Sequence, residues 1–152
     1  MNLILWRHAE AEDTASTDLA RQLTTRGRKQ AQASAKWLRA RLPDDAVILA
    51  SPATRTVQTA ESLTDQYRVV REIAPDASAA DVLAAAGWPD GIAPTVVVVG
   101  HQPTLGHVAA RLLADSGASW PIKKSAIWWI ESRTRGNDEQ AVLRAAISSD
   151  LI

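Results

Sequence analysis

Short apolar runs alternate along the chain with longer stretches in which apolar residues recur at helical spacing. Asn2–Trp6, Ala46–Ala50 and Thr95–Val99 are continuous apolar or β-branched runs, of the length expected for strands buried on both faces of a sheet. Between Thr25 and Leu42 the residues Ala31, Ala35, Leu38 and Leu42 form one apolar stripe with Arg, Lys and Gln elsewhere, the pattern of an amphipathic helix. Thr24 stands as its N-cap and Pro43 as its stop. Ser51-Pro52 reads as a cap followed by a first-turn proline and opens a helix to about Thr64, with Arg55 in the first turn. A weaker strand is expected at Tyr67–Arg71, then a helix over Ala79–Ala86 ended by Gly87. Pro103 opens a further helix to about Ala114. Ala126–Ile130 and Ala141–Ile147 read as two last strands separated by the turn-like Arg135-Gly136-Asn137-Asp138.

This alternation predicts an α/β fold with a largely parallel sheet and helices on both faces. The chain has 152 residues, a usual size for one domain with one core, and residues 1–152 are read as that single domain. No repeat or linker interrupts them, and Trp88–Pro94 reads as a surface loop.

Composition narrows the function. Seventeen Lys+Arg balance seventeen Asp+Glu, so no global positive field argues for nucleic acid or an anionic membrane as partner. No apolar run approaches the roughly 18 residues of a spanning helix, and no basic segment precedes the N-terminal apolar run. A cytoplasmic location is expected. The absence of cysteine removes thiolate metal sites and cysteine nucleophiles together.

Three segments fall where predicted strands end: Arg7-His8, Ser51–Arg55 and Gly100-His101. Ligands of open parallel sheets bind outside the carboxyl ends of the strands, so these segments can meet in one crevice with two guanidiniums and two imidazoles. Arginine grips phosphate oxygens bidentately and keeps its charge. A neutral imidazole can attack phosphorus and form a phosphohistidine that water later cleaves. His8 is the better nucleophile candidate. His101, when protonated, would neutralise charge on the equatorial oxygens.

Arg7-His8-Ala9, Leu23–Gly27 (LTTRG), Ser51–Ala60 (SPATRTVQTA) and Gly100–Pro103 (GHQP) occur in the order of the motifs of the histidine phosphatase superfamily, which the chain resembles from position 7 to 103. The short length, with Arg21 just ahead of LTTRG, is most similar to the bacterial phosphohistidine phosphatases of the SixA type. The resemblance implies a phosphoglycerate mutase-like fold, a three-layer α/β/α sandwich with a mixed, mostly parallel sheet. It also implies that His8 is the phosphorylated nucleophile, that Arg7, Arg55 and His101 form the phosphoryl pocket, that Arg21 is a further phosphate contact, and that no metal or other cofactor is needed.

Two departures stand out. Ala9 replaces the usual glycine after the Arg-His pair, and there is no room for the insertion that carries a glutamate general acid in larger members. Among Glu61, Asp65, Glu72, Asp76, Asp81 and Asp90, Glu72 is the best-placed general acid. A site without a strong acid favours phosphohistidine, whose imidazole leaves more easily than an alkoxide. The expected partner is therefore a phosphorylated histidine-containing protein such as a phosphotransfer domain, with a monomer needing no extra assumption. The alternatives are a phosphatase for small phosphate esters, a non-catalytic phosphate-binding module, and a metallohydrolase built on His8, His101 and His107. His107, Thr24, Thr56 and Gln58 read as structural, and the six tryptophans as core aromatics.

Overall fold

A computed structural model describes residues 1–152. The chain forms β1 (Asn2–Arg7), α1 (Thr25–Arg39), β2 (Val47–Ala50), α2 (Thr54–Glu61), β3 (Arg68–Val69), α3 (Ala79–Ala86), β4 (Thr95–Gly100), α4 (Thr104–Ala114), β5 (Ile127–Arg135) and β6 (Asp138–Ile147). The sheet order is β3-β2-β4-β1-β5-β6. The first four strands run parallel, while β5 pairs antiparallel with β1 and β6 with β5. The expected mixed, mostly parallel sheet is therefore the one observed.

Alternation along the central strands supplies both faces. Leu3, Leu5, Val96 and Val98 pack with Val82, Leu83, Leu105 and Val108 of α3 and α4. Ile4, Trp6, Val97 and Val99 point the other way, onto Ala35 and Leu38 of α1 and Ala60 of α2. Every residue of β4 is buried, which is why that run carries no polar alternation.

Several boundaries differ from the expectation. The helix after β2 begins at Thr54, not at Pro52, and its N-cap Ala53 gives no side-chain cap. Ser51 is diverted, because its Oγ accepts from Ala53 N at 3.2 Å and also meets His101. α1 ends at Arg39 with Ala40 as C-cap, and β3 is only two exposed residues long. The final hairpin is longer than expected: cross-strand pairs continue to Arg135↔Asp138, carrying exposed positions beyond the core, where no apolar pattern could announce them.

Candidate active site

Register brings the three strand ends together. Arg7 is paired with Gly100, His8 N donates to Gly100 O at 3.1 Å, and Ser51 N donates to Val99 O at 3.2 Å. From behind, Ser125 N donates to both Arg7 O and His8 O. The Ser125 Oγ accepts from Trp6 Nε1 at 3.3 Å, and Ser34 Oγ donates to Ser125 O at 2.7 Å. Buried polar groups that are satisfied in this way rigidify their surroundings.

His8 is only 7% exposed. Its Nδ1 donates to the Ala9 carbonyl at 2.7 Å, since a carbonyl can only accept, and this leaves the Nε2 lone pair free. Burial, with neighbouring arginine charge adding to it against that hydrogen bond, lowers the His8 pKa to about 4, so the ring is neutral near pH 7. The His101 ring lies 5.4 Å away, centroid to centroid. Its Nδ1 accepts from Arg55 Nη2 at 3.4 Å, and its Nε2 then donates to Ser51 Oγ at 2.7 Å. Burial first, and then the charges of His8 and Arg55, lower the His101 pKa to about 3.

Three guanidiniums complete the wall. Arg7 Nη1 donates to Ile122 O at 2.8 Å. Arg55, 4% exposed, donates from Nη1 to Asp18 O at 3.0 Å and from Nη2 to Asp18 Oδ2 at 3.3 Å. Arg21 Nη1 donates to Glu12 O, and its Nε stands 3.2 Å from Asp18 Oδ1. The Nε–H groups of Arg7 and Arg55 are buried and donate to nothing in the chain, whereas that of Arg21 is engaged by Asp18. Unmet buried donors are costly, and two of them in a cleft lined by three fixed positive charges are complementary to an oxyanion.

The cleft enclosed by these groups has a volume of about 390 Å³ and is lined by Arg7, His8, Arg21, Arg55 and His101 together with Asp13, Asp18, Asp76, Gln102 and Lys124. All of the predicted phosphate-pocket residues meet there. Glu72 does not: it is exposed on the short 3-10 turn Arg71–Ile73, outside the cleft, and Asp76 is the interval's carboxylate that reaches it. His107 lies on α4 with Nδ1 3.1 Å from Ala118 O and lines a neighbouring cavity, so the three histidines do not converge. No cluster of three or more His, Asp and Glu stands close enough to hold a metal ion. A larger hollow, about 560 Å³ and lined by Trp37, Trp129 and Arg144 among others, contains neither cleft histidine.

Sequence reasoning missed Ser51 and Asp18. The serine is hidden by its resemblance to a helix cap, and the aspartate by the mostly polar, patternless run around it. Thr59 and Gln58 of the same motif turn out to secure loops, Thr59 Oγ1 accepting from Ala9 N at 3.1 Å and Gln58 Oε1 from Leu23 N at 2.8 Å.

A sequence profile of the histidine phosphatase superfamily (branch 1) matches residues 3–82. The chain belongs to this superfamily. The matched segment includes Arg7, His8, Arg21 and Arg55, while His101 lies beyond it and is brought in by the pairing of β1 with β4. Among members of the superfamily, the chain is 30% identical over 120 residues to phosphohistidine phosphatase SixA of Escherichia coli K12, covering 74% of each. The solved structure of a SixA protein histidine phosphatase complexed with tungstate superposes with a TM-score of 0.77 at 26% identity, covering 99% of both chains. A Nakamurella multipartitia structure assigned to SixA gives 0.81 at 27% identity, over 96% of this chain and 94% of that one. The fold is thus that of the SixA-like, phosphoglycerate mutase-like members.

Proposed function

We propose that the protein is a metal-independent phosphatase that forms a phosphohistidine at His8 and removes phosphate from phosphohistidine in a signalling protein, such as a histidine-phosphotransfer domain. One observation carries the reading: a buried, neutral His8 with a free Nε2 shares its cleft with three guanidiniums, of which Arg7 and Arg55 keep buried Nε donors without partners. SixA relatives that act on phosphohistidine support the substrate class, and tungstate, the ligand of a SixA structure, is a tetrahedral oxyanion like phosphate.

In this reading the phosphoryl oxygens sit against Arg7, Arg21 and Arg55, with phosphorus in line with His8 Nε2. Attack forms the P–Nε2 bond as the substrate's P–N bond breaks, and the developing imidazolium keeps its Nδ1–H on the Ala9 carbonyl. Entry of a dianion opposes the arginine charge that, with burial, keeps His101 neutral, so its Nδ1 can exchange the Arg55 hydrogen bond for a proton and donate to an equatorial oxygen. Ser51 holds the other ring nitrogen. Water then attacks the phosphoenzyme, its proton passes to phosphate, and His8 leaves with its original tautomer.

The test is phosphate release from a phosphohistidine-bearing phosphotransfer domain in EDTA by wild-type protein and His8→Ala. Release should resist the chelator and fall by on the order of 10⁴-fold or more in the mutant. Retained activity in His8→Ala would overturn the mechanism. Hydrolysis of small phosphate esters at rates comparable to the phosphoprotein would move the substrate class to small molecules.

A further inference from the structure

Asp76 is the one residue shared between the linings of the catalytic cleft and a second cavity of about 480 Å³ beside it, the cavity that His107 and Arg111 face. It sits in the turn Ala74-Pro75-Asp76-Ala77, closed by Ala77 N donating to Ala74 O at 3.0 Å, with Asp76 at φ 71°. Proline second and a positive φ third is the pattern of a type II turn, whose third position favours glycine or asparagine. An aspartate is held there instead. The turn is also tied to the start of α4, three residues after His101, because Thr104 Oγ1 donates to Ala77 O at 2.6 Å. None of the chain's five ion pairs engages Asp76, whereas Asp18 in the same cleft is taken by Arg55 and Arg21. A non-glycine residue held in the left-handed region at the rim of a site, where it leaves its exposed carboxylate free, is a backbone outlier of the kind that points to function.

Resting on the phosphohistidine reading above, we propose that Asp76 is a specificity-determining residue that accepts the free N–H of the substrate's phosphorylated imidazole. A phosphoimidazole is cationic when its second nitrogen carries a proton, and a carboxylate facing that nitrogen favours the cation. The consequence for the displacement is direct. The bond from phosphorus to His8 Nε2 forms, and the bond from phosphorus to the substrate nitrogen breaks. The electron pair of the broken bond stays on the substrate nitrogen and neutralises the ring. The ring departs as neutral imidazole with its N–H still on Asp76. No proton moves in this step, so the cleft needs no general acid, in keeping with Glu72 lying outside it. The position of Asp76 between the two cavities suits this contact, since the polypeptide bearing the leaving imidazole has to continue out of the cleft while its phosphoryl group remains among the arginines.

The experiment compares wild type, Asp76→Gly, Asp76→Asn and the outlying Glu72→Gln on two substrates. One is a phosphohistidine-bearing phosphotransfer domain; the other is p-nitrophenyl phosphate, whose leaving group has no N–H to offer. Glycine and asparagine both tolerate the left-handed backbone, and thermal melting verifies folding. The ratio of kcat/KM for phosphohistidine to that for the ester should fall about tenfold or more in Asp76→Gly and in Asp76→Asn, since the amide accepts a hydrogen bond without balancing the cation. In Glu72→Gln the ratio should stay within about twofold of wild type. Equal losses on both substrates, or an unmoved ratio with wild type active on phosphohistidine, would overturn the inference alone. A wild-type protein that hydrolyses the ester but not phosphohistidine would overturn the reading of the substrate as well.

Discussion

His8 and His101 are neutral for the same physical reason, burial beside fixed positive charge, and both are therefore acid-sensitive parts of the fold. Their folded pKa values, about 4 and about 3, lie below the ordinary histidine value near 6.5. The unfolded chain thus binds more protons between those limits. The stability contributed by keeping the two rings neutral is present in full above pH 6.5 and is lost as pH falls toward the folded values, at about 1.4 kcal/mol per pH unit for each ring. Urea denaturation at pH 7 and pH 5 should show this slope, and His8→Ala should show a shallower one because one of the two rings is gone. An unchanged slope would contradict the neutral assignment. At this scale, Arg7, His8, Arg55 and His101 were legible because each follows a strand end inside a recognisable motif. Asp18 was not, because nothing in an exposed polar run distinguishes the one carboxylate that two arginines share. That Asp76 rather than Glu72 reaches the cleft was hidden for a related reason: which of the carboxylates between positions 61 and 90 lines it depends on one turn, and the positive φ of Asp76 has no clear mark in a sequence that lacks glycine there.

Elements were legible where burial is two-sided and blurred where polar chemistry competes. β1, β2 and β4 were located within a residue or so by apolar content alone. The start of α2 was misjudged because Ser51, a good N-cap by type, instead holds His101 and the Ala53 amide. α1 shows the opposite case, in which the cap follows expectation. Thr24 Oγ1 accepts from Gly27 N at 2.9 Å and donates to Glu10 Oε1 at 2.9 Å, drawing the first turn of α1 against the loop that follows His8. A Cβ at Gly27 would collide with the Glu10 carbonyl, so the glycine of the LTTRG run is there for close approach. Gly27→Ala should destabilise the protein by about 1–3 kcal/mol through overpacking. Gly117→Ala, where an added Cβ meets nothing within 4 Å, should stay within about 0.5 kcal/mol. Equal melting temperatures for the two variants would refute the packing account.

For the whole molecule, chemistry and stability are divided along the sheet. The groups of the candidate site gather at the carboxyl ends of β1, β2 and β4, while β5 and β6 continue as a hairpin whose positions 133–140 are all exposed. No helix of the molecule is long and apolar enough to cross a membrane. Replacing residues 133–140 by Asn-Gly between the paired Ser132 and Ala141 restores a two-residue hairpin turn. That variant should keep kcat/KM on the phosphoprotein within about twofold. A loss beyond about tenfold would show that the hairpin takes part in substrate docking. The sandwich architecture was legible in the alternation of runs; the extent of this hairpin was not, because a solvated edge leaves little apolar signal.

The parallel register of β1 against β4 sets more than sheet geometry. Arg7 lies opposite Gly100, and the two imidazoles follow one residue later on each strand, so the spacing between them is inherited from a ladder of main-chain hydrogen bonds. One step along that ladder is about 3.3 Å and turns every side chain to the opposite face. The active site therefore has no fine adjustment along the strands: a single insertion in either one would misalign the histidines and turn the core inside out. Evolution is left free to vary loops and helix surfaces, while the ladder serves as the ruler against which the reaction is measured.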